Sequence, residues 1–82
     1  GQDPNPMESV LKQERDALIR RCLAELPPVY RAAVILCDIE NYSYETMADI
    51  MECPVGTVRS RIHQGRRLLR DSFARFEKGV PQ

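Results

Sequence analysis

The sequence predicts an all-α domain of four helices. Three observations carry that prediction. Apolar residues recur at steps of three, four and seven in successive stretches. Pro27-Pro28, Asn41 and Pro54 punctuate the chain between those stretches. The most apolar stretch, Val29–Ile39, is too long for an ordinary strand and holds no glycine. At 82 residues the chain makes one domain at most, and a core of this size buries only about 60% of the surface the unfolded chain exposes.

Gly1–Pro6 contains two prolines and no apolar residue, so it offers nothing to bury. Residues 1–7 are therefore expected to be a disordered linker remnant, ahead of a domain over 8–78 and a frayed tail over 79–82. The first helix is expected from about Glu8 to Glu25, with Leu11, Leu18, Cys22 and Leu26 on its inner face. Pro27-Pro28 ends it, because the residue before a proline is pushed out of the helical region, and Pro28 is suited to open the next helix. Val29–Ile39 then reads as a central helix packed on most sides, closed by Asp38, Glu40 and Asn41, the last able to adopt the left-handed conformation of a helix end. Ser43 is placed to cap a third helix of about two turns, along which Tyr44, Met47, Ala48 and Met51 form the inner face. Glu52-Cys53-Pro54 makes a turn. A fourth helix runs from about Val55 into the Phe73–Phe76 region, with Val55, Val58, Ile62, Gly65, Leu69, Phe73 and Phe76 on one stripe at about 100° per residue. Gly65 on that stripe predicts a close approach by another helix. A short helix, a three-residue turn and a long helix, with small Ala48 where the two must cross, have helix-turn-helix spacing.

Charge divides the chain. Residues 1–53 hold five basic and ten acidic side chains, a net −5, and residues 54–82 hold seven basic and two acidic, a net +5. The overall charge of zero conceals a basic surface attached to an acidic one, a pattern that points to nucleic acid on one side and another partner on the other. No apolar run approaches the roughly 18 residues of a membrane span, and the start has neither the basic nor the apolar part of a signal peptide. Three cysteines, 15 and 16 residues apart, suit neither a disulfide framework nor a zinc site, and a reducing cytoplasm is the expected location. Cys22 and Cys37 read as packing residues and Cys53 as more exposed; Tyr42 and Tyr44 read as packing rather than base-stacking. His63 is the single histidine and has no carboxylate or cysteine at catalytic spacing, so no enzymatic activity, metal, cofactor or small-molecule substrate is expected.

The outer face of the fourth helix carries the chemistry. Opposite the apolar stripe lie Gly56, Thr57, Ser60, His63, Gln64 and Arg67, flanked by Arg59, Arg61, Arg66 and Arg70, and no acidic residue occurs between Pro54 and Arg70. A merely solvated helix interleaves glutamate with arginine. A helix that enters a major groove instead needs short hydroxyls or amides for base edges and arginines at its shoulders for phosphates. Ser60, His63, Gln64 and Arg67 are the expected base-reading positions, and Gly56, Thr57, Arg59, Arg61, Arg66 and Arg70 the expected backbone contacts. The helix N-terminus at Gly56 and Thr57 adds partial positive charge.

Leu26-Pro27-Pro28-Val29-Tyr30-Arg31, the run Asn41–Met51 (NYSYETMADIM) and the run Val55–Leu69 (VGTVRSRIHQGRRLL) together resemble region 4 of bacterial sigma factors, in particular the extracytoplasmic-function (group IV) class. The resemblance spans roughly Leu11–Phe76. It implies a cytoplasmic module that recognises the −35 element of promoter DNA and binds the flap of the RNA polymerase β subunit, with Arg59, Ser60, Arg61, His63, Gln64 and Arg67 where relatives contact bases and backbone. It also implies that polymerase and any anti-sigma factor occupy the acidic, apolar half formed by the first three helices. Several relatives have an aromatic in place of His63 and arginine in place of Gln64; an amide favours adenine where arginine favours guanine. Glu52 replaces a glycine common in the turn, and Pro54 a common capping serine. Two alternatives compete: a LuxR-type response-regulator effector domain, which also sets four helices around G-T-V but usually continues differently, and a protein-interaction module that never touches DNA.

Overall fold

A computed structural model describes residues 6–77, all four elements being helical: α1 (Pro6–Glu25), α2 (Pro28–Val34) running into a π-helical turn (Ile35–Ile39), α3 (Tyr44–Met51) and α4 (Val55–Glu77). The expectations for residues 1–5 and for the tail beyond Glu77 lie outside the described residues. Helix α1 includes Pro6 and Met7, both expected in the disordered linker; a proline in the first helical turn lacks only an amide that has no intrahelical partner there. It ends where the proline pair requires. Arg31 then reaches back across the break, its Nε donating to the Leu23 carbonyl at 3.0 Å and its Nη2 to those of Ala24 and Leu26 at 3.3 and 2.9 Å. A guanidinium at the C-terminus of α1 satisfies orphan carbonyls and meets the negative end of the helix dipole.

Helix α2 does not end as a regular α-helix. Its last turn widens, with the Glu40 amide bonded to the Ile35 carbonyl at 2.9 Å and that of Tyr42 to the Leu36 carbonyl at 3.0 Å. Asn41 sits in the left-handed region at φ 60°, as expected of a residue whose short amide side chain tolerates that conformation.

Helix α4 is the spine on which the other helices pack. One cluster joins Ala33, Met47, Val58 and Ile62, with Leu36, Cys37, Tyr44, Ala48, Met51 and Cys53 around it; a second joins Leu23, Leu26 and Val34, with Tyr30, Ile35, Leu68 and Leu69. Met47, Ile62 and Val58 are the largest fully buried side chains among the described residues, each contributing roughly 1.5–3 kcal/mol of burial. The expected close approach at Gly65 is present: a Cβ built there would lie 2.7 Å from Val34 Cγ2 and 2.9 Å from the Tyr30 carbonyl oxygen, so α2 crosses α4 where only glycine fits.

Several expected core positions differ. Leu11 is exposed, because α1 packs only through its last turns, at Cys22, Leu23 and the following Leu26. Val29 and Ile39 are exposed at the two ends of this segment, while residues 30–37 between them are all buried or half-buried, so the central helix is packed on most sides as expected except at its ends. Tyr44 packs in the core as expected, whereas Tyr42 is exposed. Ser72 is buried although polar. Its hydroxyl donates to Glu25 Oε1 at 2.5 Å, and Arg75 Nη2 donates to the same oxygen at 2.6 Å, tying the C-terminal part of α4 to the end of α1. The Ser72 hydrogen bond above all, and then the charge and hydrogen bond of Arg75, hold the Glu25 carboxyl below its usual range.

Candidate nucleic-acid interface

The interface is positioned by the α3–turn–α4 unit. Ser43 caps α3, its hydroxyl oxygen accepting the Thr46 amide at 3.1 Å. At the other end Glu52 adopts φ 54° and ψ 51°, and the Cys53 amide bonds back to the Ala48 carbonyl at 3.1 Å, closing the helix with a left-handed residue where glycine would be strain-free. Pro54 follows as the residue on which α4 starts. Its carbonyl accepts the Thr57 and Val58 amides at 3.0 and 3.1 Å, which leaves the Val55 and Gly56 amides at the positive end of a 23-residue helix.

Of the base-reading candidates on α4, Ser60, His63 and Arg67 are exposed and Gln64 is half-buried. Gly56, Thr57, Ser60, His63 and Gln64 line one open depression together with Arg59, Arg61 and Tyr30. A Cβ at Gly56 would meet nothing within 4 Å, so the bare backbone there faces outward rather than another helix. Ser60 Oγ donates to the Gly56 carbonyl at 3.2 Å and retains its acceptor capacity.

The arginines are not equivalent. Arg59 lies over the Tyr44 ring at 5.7 Å from its centroid, and Arg61 Nη1 is 3.7 Å from Cys53 Sγ. Arg66 turns toward the π turn and grips Asp38 with two bonds, Nε to Oδ2 at 3.0 Å and Nη2 to Oδ1 at 2.6 Å, with a third contact to Cys37 Sγ at 3.6 Å. The Arg66 hydrogen bond, ahead of the attraction between the charges, holds the Asp38 carboxyl below its usual range. Burial, and then the Asp38 charge, push the Cys37 thiol up, away from the reactive thiolate form. Among the described residues, Arg67 and Arg70 have no ion-pair or hydrogen-bond partner. Sequence reasoning missed Tyr30 as a member of this surface and Asp38 as the partner of Arg66. Both come from the second helix, whose alignment against α4 the helical wheel of α4 cannot show.

Among the described residues no group of three or more His, Cys, Asp or Glu side chains could hold a metal ion, and no helix is long and apolar enough to cross a membrane. The two-turn α3, the tight turn at Glu52 and the long α4 with its polar, arginine-edged outer face define a helix-turn-helix domain. The family model for sigma-70, region 4 matches residues 16–69, and the chain belongs to that family. It is 44% identical over 81 residues to the ECF RNA polymerase sigma factor SigE of Mycolicibacterium smegmatis, which covers 99% of this chain and 32% of that protein. It is 42% identical over 62 residues to the RNA polymerase sigma-H factor of Pseudomonas aeruginosa and 44% identical over 62 residues to the ECF RNA polymerase sigma-E factor of Escherichia coli strain K12, each time over 76% of this chain and 32% of the relative. The chain thus spans about a third of the length of these relatives. The match to region 4 gives no support to the LuxR-type reading or to an interaction module without DNA.

Proposed function

We propose that α4 reads the −35 element of promoter DNA from the major groove, as part of a sigma factor that directs RNA polymerase to initiate transcription. The observation that carries this reading is the shared exposure of Ser60, His63 and Arg67, with half-buried Gln64 beside them, on a helix whose first four turns contain no acid. Ser60, His63, Gln64 and Arg67 face base edges. Gly56 and Thr57 offer the helix N-terminus to a phosphate, and Arg59, Arg61, Arg66 and Arg70 stand at the shoulders, Arg66 becoming available only when its pair with Asp38 opens. The β flap of the polymerase, or an anti-sigma factor, occupies the surface formed by the first three helices, where exposed Val29 and Ile50 border a depression with Leu36, Met51 and Arg61.

The test is binding of this chain to −35 duplexes bearing all single base changes, measured across salt concentrations. Gln64→Ala is expected to relax preference at one position, with a discrimination loss of about 1–3 kcal/mol. Arg67→Ala is expected to weaken most sequences alike and to lower the salt slope by about one. If neither variant differs from the parent chain, the assignment of this face is wrong.

A further inference from the structure

We propose that Tyr30, on α2, belongs to the DNA interface and donates its phenolic hydroxyl to a phosphate on the wall of the groove that Arg61 faces, fixing how α4 is seated. This rests on the reading of α4 given above. Tyr30 lines the same depression as Gly56, Thr57, Ser60, Arg61, His63 and Gln64, and it is the one residue of that depression that α4 does not supply.

Three further observations support it. The ring packs against the cluster of Leu23, Leu26 and Val34, so the side chain is anchored by its apolar body. Its backbone is fixed as well: the amide bonds to the Pro27 carbonyl at 3.0 Å, and the Tyr30 carbonyl lies 2.9 Å from where a Cβ of Gly65 would be, which locks α2 against α4 at this residue. Its hydroxyl has no hydrogen-bond partner among the described residues and is not a buried atom, so it is open to a partner outside the chain. A rigidly held, accessible donor at the rim of a depression edged by arginine suits a phosphate oxygen, and a positioning contact of this kind carries no base information.

The arrangement of cations explains why the contact matters. On the wheel of α4, Arg59, Arg66 and Arg70 stand on one shoulder and Arg61 alone on the other. Tyr30 joins Arg61, so the second wall is held by one cation and one neutral donor.

That difference sets the experiment. Tyr30→Phe keeps the ring and removes the hydroxyl. It should lower affinity for every −35 duplex by roughly three- to tenfold, leaving base preference and thermal midpoint unchanged. A neutral donor releases no counterion, so the slope of log affinity against log salt should also stay the same, whereas Arg61→Ala should reduce it by about one. Replacing single phosphates by methylphosphonate should reveal one position at which parent and Tyr30→Phe bind equally. Parent-like affinity in Tyr30→Phe, a change in base preference, or the absence of any such phosphate overturns the proposal while leaving the reading of α4 intact. Failure of the parent chain to bind any duplex removes both.

Discussion

Arg66 illustrates at the scale of one side chain how a charge on a DNA-facing helix can be withheld from DNA. Its guanidinium is held by both oxygens of Asp38, with the two side chains 45% and 37% exposed. At that exposure the pair stabilises the fold by about 0.5 kcal/mol at most. Its larger effect is on the availability of a cation. Asp38→Asn is expected to tighten binding to all duplexes severalfold at low salt and to steepen the salt slope by about 0.9, the signature of one added phosphate contact. The same variant tests the linkage to pH. Because the folded-state pKa of Asp38 is lowered, its contribution is fully present above the ordinary value of about 3.9 and is lost as pH falls through the folded value. Stability should therefore decline below about pH 4, less steeply in Asp38→Asn, as read from thermal midpoints. None of this was visible in the order of residues: Arg66 and Asp38 are 28 positions apart, and an arginine on the shoulder of α4 looks the same whether it meets phosphate or carboxylate. The outward set of Ser60, His63, Gln64 and Arg67 could be read directly, because one helix and one angular step determine it.

Among the elements, the crossing of α2 over α4 is the most constrained. Gly65→Ala would gain about 1 kcal/mol in an isolated helix, yet the new methyl would lie 2.9 Å from the Tyr30 carbonyl oxygen, a backbone atom that moves only with α2. Overpacking wins, and a net destabilisation of about 1–3 kcal/mol is expected in urea unfolding. The helix boundaries were legible in the sequence because Pro27-Pro28, Asn41, Ser43 and Pro54 each impose a local stop or start that needs no tertiary information. Gly65 was legible because a glycine on an apolar stripe lacks another reason to be there. The widened turn at Ile35–Ile39 was not, since a change from i+4 to i+5 bonding leaves no mark on composition. Nor was the burial of Ser72, whose partner Glu25 lies 47 residues earlier. The openness of Val29 and Ile39 escaped for a related reason: apolar sequence tells which side chains could be buried, and the number of neighbouring helices decides which are.

For the molecule as a whole, the −5 and +5 halves meet at the Glu52–Pro54 turn, and the shape is flat, 44 × 40 × 14 Å. The attachment of α1 accounts for part of that extent. Of its 20 residues only Cys22 and Leu23 are buried, while Met7, Val10 and Leu11 are 66%, 48% and 49% exposed. The stretch ahead of Cys22 is about 24 Å of helix at 1.5 Å per residue, close to the length at which helices on their own are marginal in water. Deuterium uptake by the chain alone should therefore be graded, with amides of the opening turns of α1 exchanging quickly and those at Cys22 and Leu23 surviving until the entire domain opens. A level profile along α1 would mean instead that, in solution, a second surface shields Met7, Val10 and Leu11.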